Sequence, residues 1–278
     1  MYLSIVSGIF SAFFNALTIF QTKQLTKKYR PRSLVGPLFV ANLIIVLPLT
    51  IFESWVFTPK IILLHFFGAF IGAIATLMAL DLYDFGQAPA IATAEALSPF
   101  GAILGTVLLL PSLAEKSPII PILLIVSGVI FLIGSSFNQS MKFLFIRIGL
   151  LAISEGLFTV VARLLANENV GIIQNYFFRV LIITIFFSMS YSSKLNENIK
   201  LWKDDGLAIL RRGLTNSIHF LFVIYGSSFG IPVVTQTLSS TAPLFLHLHF
   251  YITTRKFPSL RPLFAVLVII LGIYFLMP

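Results

Sequence analysis

Ten runs of mostly apolar residues follow one another along this chain with little between them. They lie at 3–22, 34–52, 60–80, 88–110, 119–137, 143–166, 172–191, 206–229, 232–254 and 262–277. A helix that crosses the hydrocarbon core of a bilayer needs about 20 such residues. The longest connection, 192–205, leaves no room for a soluble domain. Composition agrees. Hydrophobic residues make up 58% of the chain and charged residues 10%, too few charges to cover a water-soluble globule of 278 residues. The sequence therefore reads as an all-α integral membrane protein with ten transmembrane helices. The same numbers argue against a soluble enzyme, a nucleic-acid binder and a disordered chain. The net charge of +9 fits the basic loops of a membrane protein rather than a nucleic-acid partner. With no cysteine there is no disulfide, thiolate metal site or thiol chemistry. Met1-Tyr2-Leu3 lacks the basic region of a signal peptide, so the first run is read as a retained span.

A repeat with an offset of 144 residues organises the ten spans. Phe85-Gly86 matches Phe229-Gly230, Pro99 matches Pro243, and Gly128 matches Gly272. Around the last pair, GVIFL (128–132) aligns with GIYFL (272–276). The division this implies is a five-span unit at 1–138 and a second at 139–278. Five is odd, so the second unit is inverted relative to the first. Inverted repeats are a common build of secondary transporters, with the substrate near the midplane where the halves meet. Pro99 and Pro243 fall near the middle of the fourth and ninth spans. Each removes one backbone hydrogen bond and frees a carbonyl at membrane depth. They read either as tolerated kinks or as paired hinges beside a cavity.

Charges inside spans are costly and mark pathways or partners. Glu95, Glu155, Arg179, His219 and His247 all sit well inside. Glu95 and Glu155 are the candidate proton-coupling carboxylates, because burial favours a carboxyl that takes up a proton. Glu155 and Arg179 read either as a structural ion pair or as a substrate-binding pair. The two histidines read either as hydrogen-bonded structural residues or as ligands. Arg163, one turn from a span end, can snorkel to the headgroups. His249 points to a different face from His247. Asn15, Asn42, Thr93, Ser98, Asn216, Thr237, Ser239, Ser240 and Thr241 extend the polar set. The candidate substrate-binding residues are thus Asn15, Glu95, Ser98, Glu155, Arg179, Asn216, His219 and His247. Four scattered histidines without ligand spacing give no metal site. No phosphate-binding loop is present, no cofactor is implied, and no nucleophile, base and orienter assemble from spacing. Gly68/Gly72 and Gly101/Gly105 are two GxxxG patterns, read as helix packing within one chain. Asp81 and Asp84, beside Tyr83, read as solvated loop acids or guards of a mouth. In segment 192–205, Leu195, Ile199 and Trp202 recur at helical spacing, as in an interfacial amphipathic turn or a solvated loop.

The chain resembles the drug/metabolite transporter superfamily in its ten-helix EamA-like branch. The resemblance is carried by two Pro-centred helices, AIATAEALSPFGAILG (90–105) and VVTQTLSSTAPLFLHL (233–248). Each precedes a polar loop and a helix ending SGVIFLIG (127–134) or LGIYFLM (271–277). Glu115 stands where the family usually has an acidic residue, and the second copy departs from this with Arg255-Lys256. SGIFSAFFNALTIFQTKQL (7–25) also fits the family's first helix. The resemblance implies that the fifth and tenth spans are peripheral and that the other eight surround a central cavity.

Orientation follows from the loops. The connections 1–2, 3–4, 5–6, 7–8 and 9–10 together hold fifteen Lys and Arg, with Arg211 and Arg212 counted in the 7–8 connection. The other side holds Lys60 and Lys116. The positive-inside rule puts the first set in the cytoplasm and both termini outside. The resemblance implies both termini inside; the charge count is preferred here because short loops are where that rule works best.

The expected function is a secondary active transporter in a bacterial-type inner or plasma membrane. It would move a small amino-acid-like, nucleoside-like or other zwitterionic or amphipathic solute by alternating access, by proton coupling or exchange. A flippase for a lipid or lipid-linked sugar is the second reading. A membrane-embedded enzyme lacks a catalytic constellation. The expected partners are a small-molecule substrate and the lipid bilayer, with no nucleic acid, in a monomer or homodimer.

Overall fold

A computed structural model describes residues 1–84, 88–133, 141–190, 195–254 and 260–277. These form helices α1 (Tyr2–Thr26), α2 (Pro31–Val46) with a 3-10 extension (Leu47–Phe52), α3 (Pro59–Asp84) and α4 (Ala88–Leu109). The short α5 (Pro111–Ala114) precedes α6 (Ile119–Ile133), α7 (Met141–Asn167) and α8 (Ile172–Ser190). The rest are α9 (Leu195–Phe229), α10 (Pro232–Ser239), α11 (Ala242–Thr254) and α12 (Leu260–Leu276). The ten apolar runs map onto them, with α10 and α11 sharing the ninth. Among the described residues, six helices are long and apolar enough to cross a membrane, and α6, α8 and α12 contain shorter apolar helices. Phe85-Gly86, Gly134, the boundary at 138/139, residues 192–194 and Arg255-Lys256 lie outside the described residues.

The packing is inside-out relative to a soluble domain. Leu63, Phe66, Leu108, Ile252 and Leu267 are exposed, whereas Ser4, Ser7, Ser11, Thr18 and Thr22 are buried. Apolar surface on this scale belongs against lipid. In α1 the buried small and hydroxyl residues recur every three or four positions, one face of a helix. Thr18 and Thr22 donate back to the carbonyls of Phe14 and Thr18, so their hydroxyls are satisfied inside the helix. The opposite face carries Val6, Phe10, Phe13 and Phe20 toward lipid.

The helix pairs come in matched sets. α1 lies along α9 as α7 lies along α3; α4 crosses α7 as α10 crosses α1; α2 meets α9 as α8 meets α3. α6 and α12 pack on each other, and their glycines show the relation atom by atom. A Cβ on Gly128 would stand 2.7 Å from Ile269 Cγ1 and 3.1 Å from the Ile269 nitrogen. A Cβ on Gly272 would stand 2.6 Å from Ile125 Cγ1 and 3.1 Å from the Ile125 nitrogen. Both pairs carry the 144-residue offset, so each repeat supplies the glycine that the other repeat's isoleucine packs into. This is an all-α membrane protein whose matched helix pairs follow the 144-residue repeat.

The two central prolines behave differently. α4 runs unbroken through Pro99. The carbonyl that Pro99 leaves free is that of Glu95, and Ser98 Oγ donates to it at 2.6 Å. In the second copy the helix stops at Ser239 and restarts at Ala242, directly before Pro243. The break falls at Ser240 and Thr241, while Ala242, the residue before Pro243, is already helical, so the proline alone does not account for it. α9 also kinks, at Asp205 (φ −136°, ψ 25°). The segment from Leu195 is therefore helical, and its Leu201 packs with Leu25, Leu34 and Leu38.

Candidate functional site

A central cavity of about 210 Å³ opens between eight spans. α1, α2, α3, α4, α7, α8, α9 and α10 contribute to its wall, and α6 and α12 do not. Its reach is one-sided. It extends to Thr26, Pro31 and Tyr83, at the end of the molecule bearing the basic connections. Along α3 the lining begins only at Gly72, leaving the first half of that helix outside it.

The opposite end is closed by polar bonds between connections. Gln174 grips the backbone of Val56 twice, accepting from its amide (3.0 Å) and donating to its carbonyl (2.7 Å). Glu53 accepts from the backbone amides of Ile173 and Gln174 at the start of α8, and burial there holds its carboxyl above the usual range. The Ile231 amide donates to Ser4 Oγ (2.7 Å), Arg163 donates to the Ser228 carbonyl, and Lys60 pairs with Glu168.

Of the sequence-derived candidates, Asn15, Glu95, Glu155, Arg179, Asn216 and His219 line the cavity together. Ser98 is buried just behind it and accepts from Gln236 Nε2 at 2.6 Å, joining α4 to α10. His247 lies away from the cavity, with Nδ1 2.8 Å from the carbonyl of Pro243 in its own helix. Of the two prolines, neither lines the wall; Pro243 marks the α10/α11 break.

Carboxyl and guanidinium groups line the same cavity. The Arg179 guanidinium lies 3.2 Å over the Phe158 ring centroid and 5.4 Å from that of Phe220. Such stacking holds a cation in apolar surroundings. Arg179 Nη1 has no hydrogen-bond partner, and neither has Glu95 Oε2. Glu155 has Glu95 and Arg179 as its charged neighbours, yet no ion pair joins it to Arg179 among the described residues. Gly72 makes room for Arg179: a Cβ there would stand 2.9 Å from Nη2 and 3.0 Å from Nε. Asn15 is the polar neighbour of the Glu95 carboxyl. His219 Nδ1 is 2.8 Å from Ser11 Oγ, which is 2.8 Å from Ser239 Oγ, so this histidine is tied to α1 and α10.

One assignment from the sequence is corrected. Arg212, counted with the loop charges, lines the cavity from α9 and donates from Nε to Thr22 Oγ1 at 3.2 Å. The signal was present: Arg212, Asn216 and His219 stand at i, i+4 and i+7, one face of a helix. Gln236, Tyr176, Phe158 and Phe220 also line the wall. Asp81 is not a solvated acid. Arg32 Nη2 (2.8 Å) and Arg147 (3.1 Å) hold it, tying α2 and α7 to α3 at the open end. At the same end Asp205 accepts from Lys28 Nζ (2.9 Å) and the Tyr29 hydroxyl (2.7 Å), which pushes Tyr29 up to about 12.

Residues 144–277 match the EamA-like transporter family. No curated protein matches the chain. A solved crystal structure of another protein superposes with a TM-score of 0.76 at 16% identity, over 99% of this chain and 96% of that one. At that identity the likeness establishes the shared fold.

Proposed function

We propose, from the match of residues 144–277 to the EamA-like transporter family, that this chain is a secondary transporter for a small zwitterionic solute. A membrane transporter of the drug/metabolite type is the family's class; the substrate and coupling are our reading. The observation that carries it is that two groups of opposite charge type line one cavity, each with one atom that has no hydrogen-bond partner, Arg179 Nη1 and Glu95 Oε2. A buried charge without a partner is costly, and a solute bringing a carboxylate to one and an ammonium to the other would offset that cost. The cavity volume lies below the ~300–1,000 Å³ of drug-sized sites, which favours an amino-acid-sized solute. Glu95 and Glu155, two carboxyls facing the same space, are the candidate proton-coupling groups, so uptake of a proton would accompany solute movement. Alternation between the open end described above and its closed opposite would complete the cycle. By the loop charge count the open end is cytoplasmic.

A bound solute stabilises the folded form by mass action. Purified protein is therefore heated with zwitterionic metabolites, with anionic or cationic analogues of the same size, and with lipids or lipid-linked sugars. The reading expects stabilisation by zwitterions and loss of it in Arg179→Gln. Stabilisation by lipids alone would favour the flippase and overturn the zwitterion assignment.

A further inference from the structure

The face of α3 that lines the cavity continues past it. His65, Gly68, Gly72, Thr76, Ala79 and Tyr83 recur every three or four residues and so share one side of the helix. Gly72, Thr76, Ala79 and Tyr83 line the open cavity. His65 and Gly68 line a second, much smaller space of about 10 Å³, together with Asn175, Val161 and Leu165. That is room for about one water molecule. Phe158 and Arg179 border both spaces. His65 is 4% exposed, and neither ring nitrogen has a hydrogen-bond partner. Its one close neighbour of note is the Phe178 ring, 4.9 Å between centroids. From Gly72 to His65 the helix rises about 10 Å toward the closed end. An imidazole at that depth with no hydrogen bond to either nitrogen, although Asn175 and Arg179 line the same small space, leaves a donor and an acceptor unused.

We propose that the Arg179–Phe158 stack is the inner barrier of the transport path, and that the His65 chamber behind it is the next station toward the opposite face. Solute and water that pass the stack follow the His65–Gly68–Gly72 side of α3, where Val161 covers Gly68 and Ile183 and Arg179 cover Gly72, so these side chains move aside as the stack opens. His65 then supplies a donor and an acceptor to what arrives, in place of the cavity's charges. This rests on the cavity being the transport path, as proposed above, but it needs no knowledge of the substrate.

The chain has no cysteine, so single thiols report access without background. A membrane-impermeant, water-soluble thiosulfonate is added from the side of the basic connections. Ala79→Cys, in the open cavity, should react, and Phe66→Cys, on the lipid-facing side of α3, should not. His65→Cys should be silent with Phe158 in place and should react at a rate approaching that of Ala79→Cys once Phe158→Ala removes the ring. Phe158→Leu serves if the alanine variant does not fold. The proposal is overturned if His65→Cys stays silent in the opened variant while Ala79→Cys reacts. It is equally overturned if His65→Cys reacts as fast as Ala79→Cys with Phe158 present. Either result leaves solute binding in the cavity, measured by thermal stabilisation, as a separate question.

Discussion

Gly156→Ala is expected to loosen the crossing of α4 on α7, and the structure supplies the magnitude. A Cβ at Gly156 would stand 2.2 Å from the Ala102 nitrogen, 2.3 Å from the Ser98 carbonyl oxygen and 2.5 Å from the Gly101 carbonyl carbon. All three are backbone atoms, so no side chain can swing aside, and the helices must part by about an ångström to restore van der Waals contact. Overpacking of a tight interior costs about 1–3 kcal/mol, and separating two helices along a crossing places this case at the upper end. Alanine recovers about 1 kcal/mol of helix propensity over glycine. The net loss is then about 2 kcal/mol. Gly149, on the same helix, has nothing within 4 Å of its added Cβ. Gly149→Ala should therefore gain up to about 1 kcal/mol, and the two variants should differ by about 3 kcal/mol. Reversible unfolding in mixed micelles, followed by loss of helical signal, measures both. The reasoning is refuted if Gly156→Ala matches the parent or if the two substitutions behave alike.

Further outcomes follow from individual contacts. Arg179→Gln removes a charged donor from the cavity, and such a bond is worth about 1.5–3 kcal/mol, so the affinity for a zwitterion that stabilises the parent should fall at least ~10-fold by calorimetry. Tyr29 is held protonated to about pH 12 by Asp205, so its contribution to stability is complete below pH 10 and disappears as pH rises through 12. In Asp205→Asn the phenolate absorbance of Tyr29 should emerge nearer pH 10, and an unchanged alkaline titration would count against the bond. Lys60→Met breaks an ion pair whose lysine side chain is 67% exposed, so melting should change by less than ~1 kcal/mol and only at low salt.

Much of the architecture was legible because lipid imposes a simple rule: about 20 apolar residues per crossing. The repeat was legible because Gly128 and Gly272 do the same packing work in each half. Six of the eight candidate binding residues line one cavity for a related reason. A charge or amide in mid-span must face protein, and in a ten-helix bundle the protein side of the inner helices is the cavity. Ser98 and His247 do not line it, because each finds a bond close by, Ser98 at the carbonyl freed by Pro99 and His247 within its own helix. Arg212 was missed because it follows Lys200, Lys203 and Arg211, and a cluster of bases reads as a loop; only its register with Asn216 and His219 separates it. His65 escaped notice because a histidine near the start of a span looks interfacial. Its burial depends on how α3 meets α7 and α8, which no local pattern encodes. The different fates of Pro99 and Pro243 were likewise out of reach, since the two prolines share a register but not their neighbours.

The central claim is that the charges in this cavity couple solute movement to protons. It is tested most directly by uptake into proteoliposomes under an imposed pH gradient, using a zwitterion that stabilises the purified protein. The account predicts accumulation that collapses with the gradient in the parent. In Glu95→Gln, folded and still stabilised by the solute, it predicts uptake that no longer responds to the gradient. Gradient-driven uptake that is undiminished in Glu95→Gln would contradict it.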